Sequence, residues 1–250
     1  MSDFLNEMVK KVNKTQDELL EDIQSRYDVL IEMIEHSLYC IEYFLQTNDH
    51  EDNSIFVLYE LFSKSCHTTR ALLLLCYSGF ELQCLSLIRD LIETEYLIAY
   101  FLKEPQKMES WFSSDEKIRK KDYSPSILRK KIAGDDESFK KSLDRDYSGH
   151  SNFLHVTPEV LKIQKGLYIR DNKKPDRRFV RTCLTEIAHY IVPIADRASS
   201  LGLLITNDDQ FNKNGHKLKE VTKSMKFFWA IGVLPIWDYL EKDTSSSKKI

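Results

Sequence analysis

The chain has 250 residues, 42% of them hydrophobic, which is enough for one large domain or two small ones with a real core. Its 7 glycines and 6 prolines are few for this length, which argues against a β-sandwich or β-barrel with many tight turns and predicts long helices. Charge is uneven despite a formal net charge of −3: residues 1–60 hold 14 acidic and 4 basic side chains, and residues 115–181 hold 11 acidic and 18 basic ones. This asymmetry predicts either that the acidic start packs on the basic middle or that the middle binds an anionic partner.

The first part of the chain predicts a long helix followed by a helical hairpin. Apolar residues recur at spacings of three, four or seven from Phe4 to Thr47, a run that is long for one globular helix. Residues 1–14 are therefore expected to form a separate helix or an arm that packs on a second copy. Helices over Ile55–Tyr77 and Phe80–Lys103, joined by a turn at Ser78-Gly79, form the most apolar part of the chain. We expect this hairpin to organise the core.

The second part predicts shorter helices and then two long ones. Ser124-Pro125 is typical of a helix start and Gly134 of a helix end, and a further helix is predicted from about Glu137. The long helices are predicted over Phe179–Leu204, with a kink at Pro193, and over Lys217–Leu240. The predicted fold is all-α: one antiparallel helical bundle over residues 1–243, with an irregular basic segment, and a disordered polar tail over 244–250.

Cysteine usage favours a reducing, cytoplasmic setting, because the five cysteines are odd in number and form no CxxC pair. The start of the chain, MSDFLNEMVKK, lacks the basic stretch and apolar run of a secretory signal. Charges interrupt the apolar runs within about 20 residues, so no membrane span is expected. The sequence has no Gly-rich phosphate loop, HExxH, GxSxG or paired CxxC, so neither a cofactor nor a metal is expected.

The irregular basic segment, Pro158 to Arg178, interleaves cations with aromatic residues such as Tyr168. This composition is typical of surfaces that hold single-stranded nucleic acid through phosphate contacts and base stacking, although a solvated loop has the same composition. The residues expected to contact RNA are Lys165, Arg170, Lys173, Lys174, Arg177 and Arg178.

The stretch RDYSGHSNFLH carries Arg145 and, five residues later, His150, with an aspartate directly after the arginine. Cleavage of RNA through its 2′-hydroxyl needs a base that titrates near neutral pH and a cation beside the phosphate, which His and Arg supply without a metal. In this stretch the chain resembles the HEPN superfamily of small all-α domains. The resemblance implies a metal-independent ribonuclease, often a toxin or phage-defence effector, that works as a homodimer. Arg145 would then steady the phosphate, and His150 or His155 would be the general base.

A second pattern overlaps the first: Tyr147, Ser151 and His155 follow at four-residue intervals and share one helix face. Together with Arg89 and Glu93, four residues apart on the hairpin, it resembles an uncharacterised group of bacterial helical proteins that pair an Arg-x3-Glu helix with a later Tyr-x3-Ser-x3-His helix. That resemblance implies a related fold and no established activity. Tyr147 and Ser151 join the catalytic candidates, and Arg89 and Glu93 are expected to support them as an ion pair facing the helix of His155.

Two functions remain open from the sequence. One is the HEPN-like ribonuclease, acting on RNA as a homodimer. The other is a non-catalytic helical interaction or regulatory module with a protein partner, in which the same polar residues form a buried network that fixes the register of the helices. Geometry separates the two: Arg145 and a histidine converging in an open basic groove favour the enzyme, and burial with pairing favours the module.

Overall fold

The computed structural model describes residues 6–14, 17, 27–47, 53–152 and 177–230. Within these ranges every regular element is a helix and none is a strand, which confirms the predicted all-α fold. Residues 6–14 are helical. The later helices are α1 (Asp28–Thr47), α2 (Asn53–Tyr77), α3 (Glu81–Lys103), α4 (Lys107–Ser113), α5 (Glu116–Asp122), α6 (Pro125–Ala133), α7 (Glu137–Asn152), α8 (Arg177–Thr206) and α9 (Asp209–Ala230).

The predicted hairpin is confirmed as α2 and α3, which pack against each other. The turn between them passes through Gly79, whose φ of 76° lies in the left-handed region that glycine adopts without steric cost. Apolar side chains of both helices are fully buried, including Leu72, Leu85 and Ile88. Burial of this amphipathic surface stabilises the two helices far more than their intrinsic propensity does.

Helix α8 shares the centre of the bundle with the hairpin that was expected to organise the core. It packs against α1, α2, α3 and α9, and Ile187, Ile191 and Ile194 on it are fully buried. The helix continues through Pro193, and the kink that the sequence predicts there stays a prediction. The central position follows from its apolar spacing of three and four residues on a helix of 30 residues.

Close packing also joins α8 to α9. A side chain at Gly202 would place its Cβ 2.4 Å from the ring of Phe211, so only glycine allows α9 to approach this closely. At the start of α9, the carboxylate of Asp208 accepts a hydrogen bond from the backbone N–H of Gln210 (2.9 Å) and another from the hydroxyl of Tyr43 (2.5 Å). The last described helix is thereby fixed to both α8 and α1.

A side layer of shorter helices rests on the hairpin. Helix α4 packs on α2, α6 on α3, and α7 on both α3 and α6. Pro125 is the first residue of α6 and Gly134, with φ of 60°, follows its end, as the sequence predicted. Helix α7, which carries the RDYSGHSN stretch, is thus placed against the polar side of α3.

The five cysteines are all buried and none forms a disulfide. Burial raises the pKa of Cys66 to about 12, so this thiol stays protonated and unreactive. In the part of the chain that the structure describes, no helix combines the length and the apolar character needed to cross a bilayer.

Candidate functional site

Tyr147 on α7 meets the polar side of α3. Its hydroxyl donates a hydrogen bond to Oε1 of Glu93 (2.9 Å) and accepts one from Nη2 of Arg89 (2.5 Å). The guanidinium of Arg89 also donates to Glu93 from Nε at 2.9 Å, which confirms the predicted i, i+4 ion pair. The pair faces α7, whose last described residue is Asn152; His155 lies outside the described residues.

Arg129 on α6 completes this group. Its guanidinium carbon lies 4.3 Å from the centre of the Tyr147 ring, and its Nε donates to Oδ1 of Asp144 at 2.6 Å. The residue is only 7% exposed. We call Arg89, Glu93, Arg129, Asp144 and Tyr147 the Tyr147 cluster. Its two guanidinium groups are balanced by two carboxylates, and the cation–π contact adds a contribution of about 0.5–2 kcal/mol.

The Tyr147 hydroxyl acts here as a hydrogen-bond donor and not as a nucleophile. Burial raises the pKa of Tyr147, and the hydrogen bond to Glu93 raises it further, while Arg89 acts in the opposite direction. A phenol with a raised pKa keeps its proton at neutral pH. The arrangement therefore ties α7 to α3 and α6 and does not supply an activated phenolate.

His150 points to the other side of α7, toward α8. It is 1% exposed, its Nε2 lies 3.3 Å from Oε2 of Glu186, and its ring meets that of Tyr190 edge to face at 6.0 Å. Glu186 is itself only 13% exposed. The His150–Glu186 contact therefore joins α7 to α8 and is almost fully buried.

Arg145 does not converge with His150. Its side chain is 67% exposed, and its Nε lies 3.9 Å from Oδ1 of Asp146. A spacing of five residues places two side chains about 140° apart around a helix, so one can face solvent while the other faces α8. The structure therefore separates the two residues of the expected Arg–His pair.

Asp146 and His189 each lie about one helical turn from a member of the His150–Glu186 contact. Burial raises the pKa of Asp146; the charge on His189 has the next largest influence and lowers it, ahead of that on Arg145. The Asp146 side chain keeps 23% exposure and His189 is half-buried. We call Arg145, Asp146 and His189 the Asp146 group.

Sequence reasoning missed Arg129, Glu186 and His189. Arg129 follows a leucine in a run of basic residues and looks like any surface cation. Glu186 and His189 share a face of α8 because they are three residues apart, and that spacing was the one available signal. Nothing in the sequence indicated that α8 would bring them to α7.

Several expected site residues fall outside the described part of the chain: His155, Lys165, Arg170, Lys173 and Lys174. Ser151 lies in α7 and Arg177 and Arg178 begin α8, but their side chains are outside the description. Their roles stay predictions. Among the described residues, no three histidine, cysteine or acidic side chains are arranged to hold a metal ion.

The chain matches the model of a family of unknown function (DUF5677) over residues 55–189, more than half of its length. It belongs to this family. The DUF5677 match runs from α2 into α8, so it includes both the Tyr147 cluster and the His150–Glu186 contact. No curated protein and no solved structure matches the chain.

Proposed function

We propose that the chain is an RNA-binding helical interaction module. The observation that carries the proposal is the excess of positive charge in the stretch of sequence that ends α7, joins it to α8 and begins α8. Residues 140–181 hold 11 basic and 5 acidic side chains, and exposed arginines lie on both flanking helices, Arg145 on α7 and Arg181 on α8. Tyr168 and Phe179 belong to the same stretch. Cations with interspersed aromatic residues suit single-stranded RNA, which offers phosphates and stacking bases.

The surroundings of His150 favour an interaction module over HEPN-like cleavage by Arg145 and His150. A general base must reach the hydroxyl from which it takes the proton, whereas His150 is 1% exposed and adjoins Glu186. The polar residues of α7 described above instead hold it between α3 and α8. A module of this kind needs fixed helices, because a rigid surface loses less entropy when it binds a partner.

The test is binding of labelled single-stranded RNA of mixed sequence to the full chain, followed by fluorescence anisotropy at several salt concentrations. The logarithm of the association constant should fall linearly with the logarithm of the salt concentration. The slope should be about 0.7 for each phosphate that the protein contacts. Replacing Lys173, Lys174, Arg177 and Arg178 by alanine should weaken binding and reduce that slope. The matched control replaces four exposed cations of α5: Lys117, Arg119, Lys120 and Lys121. No binding at low salt would refute RNA binding in favour of a protein partner, and equal losses in both variants would show that Lys173, Lys174, Arg177 and Arg178 do not form a specific RNA-binding surface.

We further propose a cytoplasmic homodimer. The five buried, reduced cysteines support the cytoplasmic location. The helix over residues 6–14 supports the dimer, because Met8 and Val9 on it are 48% and 47% exposed and a second copy would cover them. Sedimentation should give about twice the chain mass of 29.4 kDa. A species of one chain mass at every micromolar concentration would exclude the dimer.

A further inference from the structure

Helix α5 belongs to the side layer of shorter helices and buries none of its seven residues. Its Ile118 is 43% exposed, and Phe112, six residues earlier on α4, is 60% exposed. Four side chains of α5 are exposed cations: Lys117, Arg119, Lys120 and Lys121. Large exposed apolar side chains within a dense positive charge are typical of a surface that binds a partner.

Local interactions hold α5 in place. The side chain of Asp115 accepts a hydrogen bond from the backbone N–H of Ile118 at 2.8 Å, and the guanidinium of Arg119 donates to the backbone carbonyl of Ser114. Isolated helices shorter than about 12 residues are marginal in water, so these contacts matter for a helix that buries no side chain in the core. They fix α5 while Ile118 stays exposed, which suits a surface that a partner covers.

The charges of α5 are sorted around its axis. Each residue turns the helix by about 100°, so Glu116 lies about 160° from Ile118, where it pairs with Lys120 at 2.6 Å. Asp122, the other acidic residue of α5, is half-buried, and its backbone carbonyl accepts a hydrogen bond from Lys131 at 2.9 Å. Three cations lie within about 100° of Ile118: Lys117, Arg119 and Lys121. We call Phe112, Lys117, Ile118, Arg119 and Lys121 the α5 surface.

We propose that the α5 surface binds one leaflet of an anionic lipid bilayer, with its cations at the head groups and Ile118 and Phe112 in the apolar layer beneath them. Positive charge selects a negative partner. Ile118 selects lipid over nucleic acid, because a strand offers phosphates and stacking bases but no apolar layer for an aliphatic side chain. The long stems of lysine and arginine lie along apolar surface while their charged ends stay in water, so they do not hinder this contact. The proposal is independent of RNA binding, which involves another part of the chain.

The test is sedimentation of the full chain with vesicles of phosphatidylcholine and phosphatidylserine in a molar ratio of about 3 to 1, beside vesicles of phosphatidylcholine alone. The chain should sediment with the anionic vesicles and not with the neutral ones, and added salt should release it. Replacing the four cations of α5 by alanine should weaken binding about 100-fold or more, since each cation near the surface contributes about fivefold. The matched control is the alanine variant of Lys173, Lys174, Arg177 and Arg178, which should keep its lipid binding.

A second pair of variants tests the apolar contact. Ile118→Ser should weaken vesicle binding about fivefold or more, whereas Leu204→Ser, at an 80% exposed position near the end of α8, should bind like the wild type. Both positions are exposed, so both variants should melt like the wild type. The proposal is overturned if the chain ignores anionic vesicles, or if either the four-alanine variant or Ile118→Ser binds them as tightly as the wild type. If the four-alanine variant loses RNA binding and vesicles are not bound, the α5 surface binds nucleic acid instead.

Discussion

Helix α7 is held from two sides, and the two contacts differ in how far their charged side chains are exposed to water. The Tyr147 cluster on the α3 side stays partly open, with the side chains of Glu93 and Asp144 36% and 44% exposed. The His150–Glu186 contact on the α8 side is nearly closed to water. A partly exposed ion pair contributes little net stability, whereas removing one member of a buried pair leaves the other uncompensated. The more buried side should therefore be the more sensitive one.

The largest effect is expected when the buried side is broken. His150→Ala should lower the free energy of unfolding by about 3 kcal/mol or more, because it leaves a cavity and an unpaired buried carboxylate at Glu186. Urea denaturation measures the loss. The double variant His150→Leu, Glu186→Leu should lose less than the single one, since it removes both polar groups. A single variant within about 0.5 kcal/mol of the wild type, the range of ordinary surface changes, would contradict the comparison.

In the Tyr147 cluster, the most buried member, Arg129, should contribute most to stability. Arg129→Met keeps the apolar stem but removes the cation from the Tyr147 ring and the pair with Asp144, and should cost about 1–2 kcal/mol. Lys130→Met, at the adjacent exposed position, is the matched control and should leave stability unchanged. Chemical denaturation of both variants decides the point: equal midpoints would mean that the stacked guanidinium contributes nothing.

The sequence could predict the features that depend on residues close together in the chain. Arg89 and Glu93 pair because they are one turn apart on a single helix, and the hairpin follows from its apolar spacing and Gly79. The separation of Arg145 from His150 was also contained in their five-residue spacing. A motif match by spacing alone does not test whether its residues share a helix face.

The remainder depends on how helices distant in sequence pack. Glu186 reaches His150 only because α8 occupies the centre of the bundle, and Arg129 reaches Tyr147 only because α6 and α7 both rest on α3. Neither helix propensity nor hydrophobic periodicity predicts these two contacts. Whether a charged side chain in a polar run will be buried depends on which neighbour covers it, as the 7% exposure of Arg129 illustrates.

Within the Tyr147 cluster, the ion pair itself should have a smaller effect. Glu93→Ala removes the acceptor of both Arg89 and Tyr147 and should cost about 1 kcal/mol. Glu116→Ala removes a pair with the same i, i+4 spacing on α5, where both side chains are 75% exposed, and should leave the melting curve unchanged. If the two variants melt alike, the Glu93 pair behaves as a surface pair and the cluster does not hold α7.

The smallest effect concerns a second buried histidine, His36, whose partner is a backbone carbonyl and not a carboxylate. Its Nε2 donates to the carbonyl oxygen of Asn214 at 3.2 Å, and burial lowers the pKa of His36. As the pH falls through about 6.5, the unfolded chain gains a proton at this residue that the native protein resists, so stability should decline with acid until the lower native pKa is reached. His36→Gln keeps a donor for the carbonyl but cannot titrate. Urea denaturation should therefore show that the wild type loses more unfolding free energy than this variant when the pH is lowered from 7.5 to 5.5. A difference that stays constant across that range would show that His36 contributes nothing to the acid sensitivity of the fold.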